Sequence, residues 1–164
     1  MTELRGERVT LRTLREEDLS RLAEIGSTPE VARWWADIDE PELRQNLERG
    51  TGFAIEEGAE LIGFAQWWEE EDPGFRHAGI DLFLTPERHG RGLGHDAVRT
   101  LARWLVEERR HHRITIDPAC ANEPAIRCYE MAGFRRVGVL RQYWRDPGGR
   151  WQDGLLLDLL AEEL

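Results

Sequence analysis

The chain of 164 residues has no lysine, two serines and two cysteines, and these shortages exclude several kinds of chemistry. All 22 basic residues are arginine, so neither a pyridoxal Schiff base nor a Walker-type phosphate loop is available. Ser20 and Ser27 both lie outside a Gly-x-Ser-x-Gly setting, which argues against that kind of serine nucleophile. Long apolar runs are missing too, and none approaches the roughly 18 residues that a membrane-spanning helix needs.

The five histidines and two cysteines do not follow a metal-binding spacing. Neither His-Glu-x-x-His nor Cys-x-x-Cys occurs, so we predict no metal site. We expect His111 and His112 to form a solvated helix end. The N-terminus lacks the apolar segment of an export signal, so we predict a cytoplasmic protein in which Cys120 and Cys128 stay reduced.

The charge balance favours a cationic ligand. With 32 acidic against 22 basic residues, the net charge is −10 and the pI is near 5.0. This argues against nucleic-acid and anionic-membrane partners, because phosphates attract clustered positive charge. The length and the 40% share of hydrophobic residues suit one core, so we predict one domain over residues 1–164.

Hydrophobic periodicity predicts a mixed α/β sheet with antiparallel flanks and one central parallel pair. The parallel pair comes from strand 79–85, helix 93–110 and strand 113–117, which form a right-handed crossover. The other predicted strands are 9–14, 53–56, 61–68, 137–145 and 151–159; the other predicted helices are 16–26, a broken region over 29–35 and 41–49, and one between Asn122 and Gly133.

A glycine-rich turn, Arg88-His89-Gly90-Arg91-Gly92-Leu93-Gly94, joins the first strand of this crossover to its helix. Glycines let the backbone approach an anion closely, and a helix N-terminus offers free N–H groups and partial positive charge. The spacing is not the Gly-x-Gly-x-x-Gly of dinucleotide-binding folds. The turn therefore predicts either a phosphate-binding site of another kind or a tight structural loop.

Together with a second segment, this turn resembles the GNAT superfamily of acetyl-CoA-dependent N-acetyltransferases. Pro86 precedes the turn, and residues 122–134 are similar to the family's Asn-x-x-Ala-x-x-x-Tyr-x-x-x-Gly-Phe helix; His89 departs from the family's Arg or Gln. The resemblance implies a central mixed sheet of six to seven strands with one splayed parallel pair, about four helices, and acetyl-CoA as cofactor. The implied cofactor contacts are Phe83, Leu84, His89, Gly90, Arg91, Gly92, Leu93, Gly94, Asn122, Ala125 and Tyr129.

Four segments carry a narrower resemblance, to the aminoglycoside 6'-N-acetyltransferases. They are Trp34-Trp35, the run Trp-Trp-Glu-Glu-Glu-Asp-Pro-Gly at 67–74, Gly79-Ile80-Asp81, and Thr-Ile-Asp-Pro at 115–118 with the helix after it. The resemblance implies direct acetyl transfer, in a ternary complex, to an amine of an aminoglycoside. The expected substrate contacts are Trp35, Trp68, Glu69, Glu70, Asp81, Asp117 and Asp146.

Asp81 and Tyr129 are the predicted catalytic residues. An ordinary Asp, with a pKa about 3.9, is a poor sole base for an alkylammonium. We expect Asp81 to hold the ammonium and to accept its proton through water as the C–N bond forms. Tyr129 would donate a proton to the leaving thiolate, and a strand N–H near Phe83 or Leu84 would polarise the carbonyl. The structural alternatives are a solvated strand aspartate and a core tyrosine.

Two functional alternatives and two structural ones stay open at this stage. The acceptor could be another amine, such as a protein N-terminus or a polyamine, because those ligands are cationic as well. The chain could also be a GNAT fold that binds acyl-CoA without turnover. The carboxylates at 69–72 could form a solvated loop rather than a binding surface, and either a monomer or a homodimer is compatible with the sequence.

Overall fold

The computed structural model describes residues 1–36 and 38–164, and its strands form one eight-stranded mixed sheet. The strands are β1 (Glu3–Arg5), β2 (Thr10–Thr13), β3 (Gly52–Glu57), β4 (Glu60–Glu70), β5 (His77–Leu84), β6 (Arg113–Ile116), β7 (Arg135–Arg145) and β8 (Trp151–Leu160). Their order in the sheet is β1-β2-β3-β4-β5-β6-β8-β7, in which β5 and β6 are parallel and the other neighbours are antiparallel. The predicted central parallel pair is confirmed. The strand missing from the prediction is β1, whose three residues are too few to show a period.

Five α-helices cover the two faces of the sheet in the described ranges, one more than the sequence predicts. The broken helical region becomes two separate helices. The long helix ends at Glu107 rather than Arg110, which has a φ of 62° that a helix does not accept. Within residues 1–36 and 38–164, none of the helices is long and apolar enough to cross a membrane. The helices are α1 (Leu19–Gly26), α2 (Pro29–Ala32), α3 (Glu40–Arg49), α4 (Leu93–Glu107) and α5 (Glu123–Met131).

The sheet has a hydrophobic core on each face, and β5 contributes to both. Ile80 and Leu84 pack in the cluster that contains the buried side of α4, while Phe83 packs in the cluster that contains α1 and α3. Side chains alternate along a strand, so Asp81 lies on the same face as Phe83. This is the orientation that the alternation of the sequence predicts.

The sheet opens in its middle because β5 and β6 separate soon after they meet. Their ladder pairs Ala78 with Ile114 and Gly79 with Thr115, whereas β5 continues to Leu84. Thr85 donates its N–H to Ile62 in β4. Alternation then directs the N–H of Leu84 to the opposite edge of β5, which faces the opening.

Candidate active site

The glycine-rich turn lies at the end of β5, where the two parallel strands have separated. Gly90 and Gly92 have φ values of 75° and 77°, which favour glycine. A Cβ atom added at either residue would meet no atom of the described chain within 4 Å. Gly92 is also the N-cap of α4. The turn thus presents open backbone and a helix N-terminus, and it fits the pyrophosphate of a nucleotide cofactor.

Two side chains, those of His89 and Arg8, hold this turn. His89 donates from Nε2 to the carbonyl of Leu84 at 2.8 Å, and Arg8 donates from Nη1 to the carbonyl of Arg91 at 2.6 Å. A Cβ at Gly94 would lie 3.5 Å from Sγ of Cys128, so α4 approaches α5 closely there. The residue that departs from the family pattern, His89, therefore fastens the turn to β5.

The remaining cofactor candidates contribute mostly backbone or packing. The ring of Phe83 packs edge-on against Trp35 with 5.2 Å between centroids, on the face away from α4. Leu93 is buried in the core. The side chain of Asn122 caps α5 by accepting from the N–H of Ala125 at 3.4 Å. At these positions a ligand would meet main-chain atoms rather than free side chains.

We expect Gly92→Ala to weaken acetyl-CoA binding about tenfold, because its Cβ would occupy open space beside the backbone that the pyrophosphate is expected to approach. The left-handed backbone also costs any residue with a Cβ about 1–2 kcal/mol. Gly58→Ala is the matched control, since Gly58 has a φ of 62° and equally open surroundings in another turn. Calorimetry and thermal melting should show similar destabilisation in both variants and a binding loss in Gly92→Ala alone. Equal affinities in the two variants would contradict the role of the turn.

Asp81 and Asp117 bring two carboxylates together beside the opening. Burial raises the pKa of Asp81 to about 6; the negative charge of Asp117 contributes to the rise, and a hydrogen bond from Gln66 opposes it. The Gln66 amide donates to Oδ2 of Asp81 at 3.3 Å. Burial also raises the pKa of Asp117, against a hydrogen bond that its Oδ2 accepts from Tyr143. Two half-buried carboxylates that repel each other form a site for a cation.

Tyr129 is buried on α5, and its pKa is raised above the ordinary value by burial first and then by neighbouring groups that include both carboxylates. In the described part of the chain its hydroxyl has no hydrogen-bond partner. Burial likewise raises the pKa of the adjacent Cys128 thiol to about 11. At neutral pH both groups keep their protons, so Tyr129 can donate and Cys128 is a poor nucleophile.

Trp68 provides an exposed aromatic surface on the same face of the sheet as Asp81. Its ring lies against the backbone of Gly79, where a Cβ would come within 2.1 Å of the indole, and meets the His77 ring edge-on at 5.3 Å. The side chain is 45% exposed. Trp35 reaches this face from the segment after α2 and packs on Phe83. Aromatic faces beside carboxylates are suited to a cationic ligand.

Comparison with known proteins identifies the family. The model of the Acetyltransferase (GNAT) domain matches residues 8–135. The chain is a GNAT acetyltransferase. As a member of this family, it is an acetyl-CoA-dependent N-acetyltransferase.

Two of its relatives are named for different acceptors. An aminoglycoside N(6')-acetyltransferase type 1 from Klebsiella pneumoniae is 38% identical over 155 residues, which cover 80% of this chain and 76% of that protein. A putative ribosomal protein bS18-alanine N-acetyltransferase from Bacillus subtilis is 26% identical over 157 residues, covering 95% and 98%. Among solved structures, aminoglycoside acetyltransferase AAC(6')-Ib in complex with coenzyme A and kanamycin matches with a TM-score of 0.77 and 31% identity, over 94% of this chain and 96% of that one.

Not all expected substrate contacts of this acetyltransferase lie together. Glu69 is on the opposite face of β4 from Trp68, where it accepts from His111 at 2.8 Å and from Arg109 at 3.3 Å. The expectation of a solvated His111 is wrong, since that side chain is buried against Glu69. Glu70 shares the face of Trp68 and is exposed.

Asp146 lies in the turn between β7 and β8 of the acetyltransferase, and both its carboxylate oxygens are engaged there. Oδ1 accepts from the N–H of Arg150 and Oδ2 from the side chain of Gln152, each at 2.9 Å. Asp146 also lines two open grooves of about 780 and 430 Å³, neither of which includes Asp81 or Tyr129 in its lining. In the described ranges, the acetyltransferase has no group of three or more His, Cys, Asp or Glu side chains placed to hold a metal ion.

Sequence reasoning misses three residues that support the site. Gln66 donates to Asp81 across the β4–β5 pair, and strand alternation with Trp68 could have placed it on that face. Arg8 supports the glycine turn from 83 positions away, and Tyr143 bonds Asp117 from 26 positions away. Neither of these two lies in a recognisable motif, so no local signal points to them.

Proposed function

We propose that the chain, as a single domain over residues 1–164, transfers acetyl from acetyl-CoA to the 6' amine of an aminoglycoside by direct transfer in a ternary complex. The observation that carries the proposal is the pair Asp81 and Asp117 beside the aromatic surface of Trp68, at the opening between β5 and β6. The 38% identity to an aminoglycoside N(6')-acetyltransferase supports it.

The two carboxylates bind the substrate ammonium and take up its proton. Their combined charge attracts a polyamine sugar, whose ring stacks on Trp68, with Trp35 and Glu70 extending the surface. Asp81, with a pKa of about 6, is a stronger base than an ordinary aspartate by about 3 kcal/mol. Asp81 accepts a proton from the amine nitrogen as that nitrogen attacks. Because the pKa of Asp81 is raised, it differs less from the pKa of an alkylammonium than the sequence alone suggests.

The thioester that acetyl-CoA supplies when bound needs a polarised carbonyl and a proton for its sulfur. The N–H of Leu84 faces the opening and can donate to the carbonyl oxygen, whereas alternation directs the N–H of Phe83 to β4. Tyr129 donates its hydroxyl proton to the sulfur as the C–S bond breaks. Of the two protons that the ammonium nitrogen loses, one passes through Asp81 to solvent and the other restores the hydroxyl of Tyr129. The products are the acetamide and coenzyme A.

A raised pKa makes Tyr129 a weaker acid than an ordinary tyrosine. The same surroundings raise the pKa of a thiol as well, which makes the leaving thiolate a stronger proton acceptor. Burial raises the pKa of the half-buried Cys128 thiol, next to Tyr129 on α5, to about 11, so a thiolate in these surroundings is more basic than one in water. The same raised pKa argues against Cys128 as the carrier of a covalent acetyl group.

The second candidate is acetylation of a peptide N-terminus or a polyamine by the same residues. The bS18-alanine N-acetyltransferase relative favours it, because its alignment covers nearly the whole chain. An acyl-CoA-binding fold without turnover is a weaker alternative, since Asp81 and Tyr129 are both present. Cytoplasmic location and the choice between monomer and homodimer remain predictions.

Coenzyme A release separates these functions. Purified protein with acetyl-CoA would be given kanamycin, a peptide beginning with alanine, or spermidine, each over a concentration series. The proposal expects kcat/KM for kanamycin to exceed the other two at least 100-fold. A preference for the peptide or for spermidine would replace the proposed acceptor, and binding of coenzyme A without release in any series would replace the proposed reaction.

A further inference from the structure

The two carboxylates of the site differ in their hydrogen-bond partners. Asp81 accepts from the amide of Gln66, which is neutral and half-buried. Asp117 accepts a hydrogen bond from the hydroxyl of Tyr143, which comes from β7 on the far side of β8. The groups that face Asp117 are its own backbone, Tyr143 from β7, Asp81 from β5 and Tyr129 from α5. Of these groups, Tyr143 is the one that makes a side-chain hydrogen bond to Asp117.

Tyr143 reaches Asp117 because β7 is irregular at that point. Leu140 pairs with Gly154 and Trp144 with Gln152, so three residues of β7 lie opposite one residue of β8. Such bulges redirect side chains. The backbone of Gln142 has a φ of 48°, and its N–H donates to Oδ1 of Asp153 at 2.8 Å. Asp153 is the β8 residue opposite the bulge, so the irregularity is fixed by a hydrogen bond of its own.

The ring of Tyr143 is also positioned by a contact with β8. It covers Gly154, where an added Cβ would lie 2.8 Å from Cδ2 of the ring. The side chain is nevertheless 46% exposed, so core packing does not account for its placement. Tyr143 thus has its ring on a glycine, its backbone in a fixed bulge and its hydroxyl on one carboxylate. Its placement is accounted for by the hydrogen bond to Asp117.

We propose that Tyr143 is a positioning residue that orients Asp117 and keeps it ionised, so that Asp117 binds the substrate ammonium and Asp81 accepts the proton. This inference rests on the proposed function of the two carboxylates. A hydrogen bond to the charged form of Asp117 favours that form. Without the hydrogen bond from Tyr143, the state in which Asp81 and Asp117 are both ionised is less stable. Because the two acids titrate as a coupled pair, each of the two apparent pKa values then rises or stays the same.

The test compares Tyr143→Phe with wild type in steady-state kinetics with kanamycin from pH 5 to 9. We expect KM for kanamycin to rise about tenfold, kcat and KM for acetyl-CoA to stay within about threefold, and the acid limb of kcat/KM to move upward by about half a pH unit. Gly154→Ala, which pushes the ring away but keeps the hydroxyl, should raise KM for kanamycin in the same way. Val139→Thr, an exposed change on the same strand, should alter none of these values.

Thermal melting shows whether each variant is folded. If one of Tyr143→Phe and Gly154→Ala is not folded, the other still tests the hydrogen bond. Wild-type turnover of kanamycin together with an unchanged KM and acid limb in Tyr143→Phe would overturn the inference alone. A loss of kcat at constant KM would also overturn it, because the hydroxyl would then act in the chemical step. Absence of kanamycin turnover in wild type would overturn the proposed function, and the inference with it.

Discussion

Replacing Tyr129 by phenylalanine is expected to lower kcat by a factor of about 100 or more, the usual contribution of a positioned general acid. Acetyl-CoA affinity should stay within about twofold, because the change removes one hydroxyl from a buried ring. The melting temperature should be unchanged, since this hydroxyl has no hydrogen-bond partner in the described part of the chain and its loss leaves no group unsatisfied. Single-turnover kinetics and calorimetry with acetyl-CoA measure the two effects separately.

Cys128→Ala is the neighbouring control for Tyr129→Phe. A thiol with a pKa of about 11 takes no part in the proposed reaction, so kcat should remain within about threefold. Wild-type kcat in Tyr129→Phe would return the tyrosine to its structural interpretation, in which its ring packs near Phe134 with centroids 6.4 Å apart. A large loss of kcat in Cys128→Ala would instead indicate a covalent acetyl intermediate.

Replacing Asp81 by asparagine is expected to lower kcat/KM at pH 8 by a factor of about 100 to 1,000, because the amide neither attracts the ammonium nor accepts its proton. In wild type, kcat/KM should fall as the pH drops through about 6, where Asp81 becomes protonated. That acid limb should be absent or displaced in Asp81→Asn. The pH dependence of kcat/KM is the appropriate measurement because it reports the free enzyme.

The same variant is expected to be more stable than wild type at pH 8. A pKa of about 6 instead of 3.8 disfavours the carboxylate in the folded protein by roughly 3 kcal/mol at most. Because the folded-state pKa lies above the unfolded value, this cost is present above about pH 6 and absent below about pH 4. Urea unfolding of Asp81→Asn and wild type at pH 8 and pH 4 measures the difference in their free energies of unfolding. Asp39→Asn is the control, because Asp39 caps a helix and asparagine can form the same cap. Destabilisation of Asp81→Asn at pH 8 would indicate a structural role.

The sequence predicts the elements that carry the glycine-rich turn because their determinants are local. Glycines at 90 and 92 provide the positive φ values, and Asn122 provides the cap of α5. Alternation along β5 is likewise sufficient to put Asp81 and Phe83 on one face. The boundaries of α4 and the short β1 are less well predicted, because a single backbone angle or three paired residues decide them.

The parts of the site that could not be predicted depend on contacts between distant residues. The burial of His111 follows from its pairing with Glu69 across 42 positions, so its local polarity is misleading. The same pairing takes Glu69 away from the face of Trp68. Tyr143 reaches Asp117 through a bulge whose register depends on Asp153, and no periodicity in β7 reports such a shift.

The most direct measurement is coenzyme A release from acetyl-CoA with neomycin and paromomycin, which differ by an amine or a hydroxyl at the 6' position. Both antibiotics offer the remaining amines to the carboxylates, so binding should be similar and the reaction should differ. We predict rapid release with neomycin and at least a 100-fold lower kcat/KM with paromomycin. Equal rates with the two antibiotics would contradict transfer to the 6' amine, and release with neither would contradict the aminoglycoside as the acceptor.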